Sequence, residues 1–242
     1  MQEKSKTNNQ KKKYLLPASK LPKVVEETGD FRETVQWRIF RIMAEFVDGF
    51  NFLADLEKSV TIFGSARTTT DHPDYQKAQK LGYLLGKDGF EVVTGGGPGI
   101  MEAANLGAYE AKAKSIGFNI QLPEEQRVNA FVNRSIAFHY FFTRKLMLSY
   151  SAQAYVFFPG GLGTLDEFFE MATLIQTKKL ERVTIIMVGK EYWDQLFDFL
   201  KNKVYGDHEA IDKEDLNLFH IVDTPEEARE IIKKSKPRKI II

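Results

Sequence analysis

The sequence predicts an α/β fold, a doubly wound parallel sheet with helices on both faces, on two observations. Six short β-branched or aromatic runs alternate with helical patterns, and three of those runs break at their ends into glycine turns. Such a sheet is Rossmann-like, and it binds ligands beyond the carboxyl ends of its strands. An extra helix precedes it. From Asp30 to about Leu56 the apolar residues Phe31, Val35, Ile39, Met43, Phe46, Val47, Phe50, Leu53 and Leu56 recur at helical spacing, with Asp30 placed as N-cap. Strands are expected at Val60–Phe63, Glu91–Thr94, Ile116–Ile120, Ala154–Phe158, Val183–Val188 and Phe219–Val222. Helices are expected near 74–88, 99–113, 140–151, 164–178, 191–204 and 225–234, while Ile136 to Phe142 reads equally as a strand or as the start of the following helix. No internal repeat or linker interrupts the pattern. Residues 30–242 are therefore expected to form a single domain behind a disordered basic tail, 1–29.

Composition narrows the chemistry. The 242 residues are 43% hydrophobic and 28% charged, an ordinary mixture for one domain, and the net charge of +1 offers no field to hold a polyanion. Nucleic acid is accordingly not an expected partner. The lysine-bearing N-terminus and the stretch from Lys233 to Lys239 are read as solvated tails. With no cysteine, disulfides, thiolate metal sites and cysteine nucleophiles are excluded. No apolar run approaches the roughly 18 to 20 residues that cross a bilayer, and the N-terminus has no signal-peptide core. No membrane partner is expected, and the location is read as cytoplasmic.

The three glycine turns are Gly64-Ser65-Ala66-Arg67, Thr94-Gly95-Gly96-Gly97-Pro98-Gly99 and Pro159-Gly160-Gly161-Leu162-Gly163-Thr164. Each leads into a helix. Glycine lets an anion approach the backbone, and a helix start adds free N–H groups and a positive partial charge. Each turn alone is also a plain strand-to-helix connection; together they describe a pocket for a phosphate-bearing ligand of nucleotide size. Neither the dinucleotide fingerprint, which fails at Ile100 and Asp166, nor the Walker loop is present.

Thr164 and Glu167 have the spacing of a capping box, yet a carboxylate beside a phosphate loop would be repelled by its ligand. Capping and catalysis both stay open for Glu167. Arg144 and Lys145 supply positive charge nearby, and Arg144 reads either as a surface residue or as a bidentate phosphate grip. The four histidines, at 72, 139, 208 and 220, are scattered, so no metal site is expected. His139 reads as a core histidine more readily than as a pocket residue, and Ser65 lacks the surroundings of a serine nucleophile.

Taken together, Pro159-Gly160-Gly161-Leu162-Gly163-Thr164-Leu165-Asp166-Glu167, the pair Arg144-Lys145 and the run Gly95-Gly96-Gly97-Pro98-Gly99-Ile100-Met101-Glu102-Ala103 resemble the Lonely Guy (LOG) family. These phosphoribohydrolases were long labelled lysine decarboxylase-like. The resemblance covers roughly Val60 to Trp193 and is nearer the bacterial branch, because Phe141-Phe142-Thr143 replaces the M-H-E that precedes R-K in the plant form. It implies hydrolysis of AMP, or of AMP with an isoprenoid substituent on its exocyclic amine, to free base and ribose 5-phosphate. It further implies Glu167 and Arg144 as catalytic residues and Gly64, Ser65, Gly95, Gly96, Gly97, Gly99, Lys145, Gly160, Gly161, Gly163 and Thr164 as substrate-binding residues. No cofactor or metal is implied, and the assembly implied is a homodimer or larger homo-oligomer. Two other readings stand beside it: a nucleotide sensor or carrier without turnover, and a pyridoxal phosphate decarboxylase, for whose Schiff base no feature here argues.

Overall fold

Every residue of strand β1 (Ser59–Phe63) is buried, and the sheet extends from it to both sides. The computed structural model describes residues 31–121 and 128–237. The remaining strands are β2 (Glu91–Thr94), β3 (Ser115–Ile120), β4 (Arg134–Phe138), β5 (Ala154–Phe157), β6 (Thr184–Val188) and β7 (Phe219–Val222). All pairings are parallel, in the order β4-β3-β2-β1-β5-β6-β7. β1, β2, β3 and β5 are buried throughout, whereas the edge strands β4 and β7 are only partly covered, as sheet position requires.

Seven α-helices occur among the described residues: α1 (Val35–Ala54), α2 (Pro73–Lys87), α3 (Ile100–Glu110), α4 (Phe141–Ser149), α5 (Leu162–Gln176), α6 (Lys190–Phe199) and α7 (Pro225–Lys233). Side chains of α2, α3 and α7, among them Leu81, Leu85, Ala104 and Ile232, form the core on one face of the sheet. Leu53 with Met147, Phe168, Met171 and Trp193 forms the core on the other. The Rossmann-like doubly wound expectation therefore holds. The chain divides into two compact units, one up to Phe40 and one from Arg41 onward. In the first, Phe31 meets Trp37 edge to face, and Thr34 Oγ1 accepts the Trp37 N–H at 3.2 Å.

Several boundaries differ from the expected ones. α1 starts at Val35 behind Thr34, after a short 3₁₀ turn at Phe31–Glu33; Asp30 and the tail 1–29 lie outside the described residues, as does the end of the C-terminal basic stretch. The run Ile136 to Phe142 splits, with β4 ending at Phe138 and α4 starting at Phe141. α5 begins at Leu162 instead of 164, and α6 continues as a π-helix from Leu200 to Asp207. Strand order reverses between β1 and β5, so their loops diverge there and open the crevice where such sheets take ligands.

α2 and α3 approach backbone to backbone at Gly107. A Cβ there would overlap Gln79 O and lie 2.6 Å from Tyr83 N. Gly107→Ala must push the two helices apart, and urea unfolding is expected to show a loss of about 2 kcal/mol.

Candidate functional site

The three glycine loops meet at this crevice and are bonded to one another. Ser65 N–H donates to Pro159 O at 3.1 Å, joining the β1 and β5 loops, and Ile100 N–H donates to Ser65 O at 3.0 Å, joining β1 to the start of α3. Close approach explains several glycines. Gly99, at φ +70°, has Ser65 O and Ala66 where its Cβ would be; Gly64 has the Ile100 side chain there, and Gly160 has Thr164 Oγ1. Gly161 and Gly163 are different, because a Cβ on either would meet nothing within 4 Å. Packing demands neither, and the open space lies at the N-terminus of α5, whose first N–H groups have no intrahelical acceptor. Free donors and the positive end of the helix dipole face that space. Ser65 presents its hydroxyl, since its amide is bonded to Pro159 and its Oγ accepts the Arg67 N–H at 3.1 Å.

The capping-box reading of Thr164 and Glu167 is overturned by where α5 starts. Gly161 is the N-cap, without a side-chain cap bond, so Thr164 stands at the third helical position and Glu167 a turn further in. Glu167 is only 8% exposed. Burial pushes its carboxyl up to about 7; Lys145 and Arg144 pull the other way, and Glu170 and Asp166 add to the rise. A buried carboxylate titrating near neutrality, beside a cleft, is a site feature with a physical rationale.

Arg144 is not a surface residue. From α4 its Nε donates to Phe118 O at 2.7 Å, and its Nη2 occupies the place a Gly95 Cβ would take. Burial lowers its pKa and the Glu167 charge opposes that, which leaves a guanidinium charged at neutral pH. Lys145, expected to bind substrate, points instead to the acidic side of α5, bridging Asp166 at 2.6 Å and Glu170 at 3.2 Å. Burial depresses its pKa, but the bonds to those two carboxylates outweigh it and the net direction is up.

Two supports were not expected from the sequence. Glu45 of α1 caps α4: its carboxylate accepts the His139 N–H at 2.7 Å, the Tyr140 N–H at 3.3 Å and the Thr143 hydroxyl at 2.6 Å. No local spacing signals a bond between residues 94 positions apart. His139 itself is exposed, not a core histidine. The second support lies under the β2 loop. Gly96 N–H donates to Thr94 Oγ1 at 2.9 Å, Thr94 donates to Asn105 Oδ1 at 2.6 Å, and Asn105 Nδ2 donates to Ser115 Oγ at 2.9 Å. Asn129 closes the network, donating from Nδ2 to Gly97 O at 3.0 Å and from its backbone to Gly96 O at 2.9 Å. The backbone of Gly96 and Gly97 is thus held by residues that the glycine pattern does not reveal.

Residues 101–232, a span that contains Arg144, the Pro159–Thr164 loop and Glu167, match the family model described as possible lysine decarboxylase. The chain belongs to this family, the LOG family. It is 23% identical over 151 residues to the cytokinin riboside 5'-monophosphate phosphoribohydrolase of Rhodococcoides fascians, covering 60% of this chain and 75% of that one. Among solved structures, this LOG chain is similar to the molybdenum cofactor binding protein of Rippkaea orientalis, at 25% identity and a TM-score of 0.54 over 72% of this chain and 93% of that one. It shares the fold of the molybdenum cofactor carrier protein of Chlamydomonas reinhardtii, at 20% identity and a TM-score of 0.53 over 74% and 97% of the two chains.

Burial of Glu167 has a measurable cost. The folded protein holds this proton up to about pH 7, whereas the unfolded chain releases it near 4.5, so the native state binds more protons between those values and stability falls as pH rises through that window. Glu167→Gln is expected to flatten the slope and to exceed the wild type by on the order of 3 kcal/mol above pH 7, with little gain at pH 4. Urea denaturation at the two pH values measures it.

Proposed function

We propose that this LOG-family chain hydrolyses the N-glycosidic bond of a purine nucleoside 5'-monophosphate, AMP or a cytokinin riboside 5'-monophosphate, to free base and ribose 5-phosphate. The observation that carries this reading is Glu167, a desolvated carboxylate one turn inside a helix whose amide terminus faces open space. In the proposed pose the 5'-phosphate lies against the amides of Gly161 to Thr164, with the Thr164 and Ser65 hydroxyls donating to it. The sugar then sits beside Glu167 and Arg144. Breaking the bond to the purine leaves positive charge on the ribose ring, and a carboxylate in a water-poor site stabilises that charge far better than one in bulk solvent. Water attacks C1', and the bond from C1' to the base nitrogen breaks. The attacking water loses a proton and the departing base gains one. Arg144 orients the nucleotide and offsets the negative charge of its phosphate. Lys145 acts at one remove, pairing with Asp166 and Glu170 and opposing their effect on the Glu167 carboxyl.

The structural likeness to a molybdenum cofactor binding protein favours one rival, binding without turnover. Release of free adenine from AMP, followed by chromatography, separates the two. Hydrolysis is expected for the wild type and a fall of about 10²- to 10⁴-fold in kcat for Glu167→Gln, whereas AMP bound and recovered intact supports the carrier. Since the ionised carboxylate is the working form, kcat/KM is expected to rise with pH through about 7 and then level, with that limb absent in Glu167→Gln. Adenosine, which lacks the anchoring phosphate, is expected to lose kcat as well as affinity. Comparable kcat for adenosine and AMP would contradict the pose.

The same reading includes a homodimer or larger homo-oligomer and a cytoplasmic location. Met43 and Val47 on α1 and Phe141 and Phe142 on α4 are more than half exposed, which supports a covered surface in the assembly. Light scattering on the eluted protein tests it.

A further inference from the structure

The peptide between Gly160 and Gly161 is a loose joint in the loop that leads into α5. Turning it over changes the ψ of Gly160 and the φ of Gly161, and neither residue carries a Cβ to restrict that turn. One contact fixes it. The Tyr192 hydroxyl of α6 donates to Gly160 O at 2.6 Å; among the described residues this carbonyl has no other hydrogen bond, and the Gly161 N–H has none. The tyrosine is itself held. Its ring lies edge to face on the fully buried Trp193, 4.7 Å between centroids, and its amide donates to Gly189 O at 3.2 Å. Local spacing does not reveal the contact, since 32 positions separate Tyr192 from Gly160.

A trans peptide sets its C=O and N–H in opposite directions, so a bond that holds the Gly160 carbonyl also aims the Gly161 N–H. The strand order gives the direction. Tyr192 lies on the helix that follows β6 and Ser65 on the loop that follows β1, and these strands flank β5 on opposite sides. The carbonyl turns to the β6 side. There a cavity of about 360 Å³ beside Pro159 and Tyr192 is lined by Asp74, Glu191 and Asp223 as well as Lys77. Its excess of negative charge remains when Lys190, paired to Asp223 at 3.6 Å, is included, and it disfavours an anion on that side. We propose, resting on the nucleotide reading above, that Tyr192 is a positioning residue for phosphate binding: it keeps the Gly161 N–H turned into the crevice as a donor to the 5'-phosphate, without touching the nucleotide. Without the hydroxyl the peptide can turn over and present a carbonyl oxygen to the phosphate, which replaces an attraction by a repulsion.

Calorimetric titration of the wild type and Tyr192→Phe with AMP, ribose 5-phosphate and adenosine tests this role. The phenylalanine keeps the ring on Trp193 and removes only the hydroxyl. It is expected to weaken AMP and ribose 5-phosphate by about threefold to tenfold, the worth of one oriented hydrogen bond, while adenosine, which has no phosphate, shifts by less than about twofold. Tyr192→Leu carries the same comparison if the phenylalanine variant does not fold. A loss shared equally by adenosine marks a merely structural residue and overturns the proposal, as does an affinity for AMP and ribose 5-phosphate that the substitution leaves unchanged. Adenine release is read separately. AMP recovered intact, with affinity falling selectively in Tyr192→Phe, overturns hydrolysis and upholds the positioning role, whereas adenine release with unchanged phosphate affinity overturns Tyr192 alone. A wild type that binds neither AMP nor ribose 5-phosphate overturns both.

Discussion

The site depends on keeping water away from one carboxylate. Glu167 sits on α5 at a depth where its charge is poorly solvated, and the balance of Lys145 and Arg144 against Asp166 and Glu170 leaves its pKa near neutrality. With no burial it would be an ordinary surface glutamate, ionised and screened. With burial and no positive neighbours it would be locked in the neutral form. The resulting compromise is a group that gains and loses its proton near neutrality, at a cost in stability. Active sites commonly show this exchange of stability for reactivity.

Around this carboxylate the chain supplies rigidity from three directions. The β1 and β5 loops and the α3 start are fastened by the Ser65 amide and carbonyl. The Glu45 carboxylate fastens the start of α4, and hence the helix that presents Arg144. The amides of Asn105 and Asn129 fasten the β2 loop from beneath. Each is a hydrogen-bonded support in a buried or half-buried place, where such bonds hold geometry well because water does not compete for them. Two glycines, Gly161 and Gly163, stand outside this packing, and both lie beside open space at the start of α5.

Much of this is legible in the sequence. Continuous apolar runs between helical patterns mark the parallel sheet, and the three glycine turns mark its carboxyl edge, because both signals are local and periodic. Short motifs mark Arg144, Glu167 and the glycine loops. Local spacing was misleading at Thr164, where the interval to Glu167 imitates a capping box. The helix starts at Leu162, which is 87% exposed, so an apolar residue at the first helical position concealed the true N-terminus. The motif likewise does not reveal that the Lys145 ammonium pairs with Asp166 and Glu170 on α5.

Residue types and their order along the chain determined the α/β class, the positions of the apolar strand runs, the absence of thiol chemistry and the glycine loops at the carboxyl edge of the sheet. Tertiary structure alone decided that Glu167 is buried, that Arg144 rests on the carbonyl of Phe118, that Glu45 caps a helix 94 positions away and that the Tyr192 hydroxyl holds the Gly160 carbonyl. The division has a physical reason. Periodicity and turn preference depend on neighbours a few residues apart, whereas desolvation and hydrogen-bond satisfaction depend on which distant segments the fold brings together.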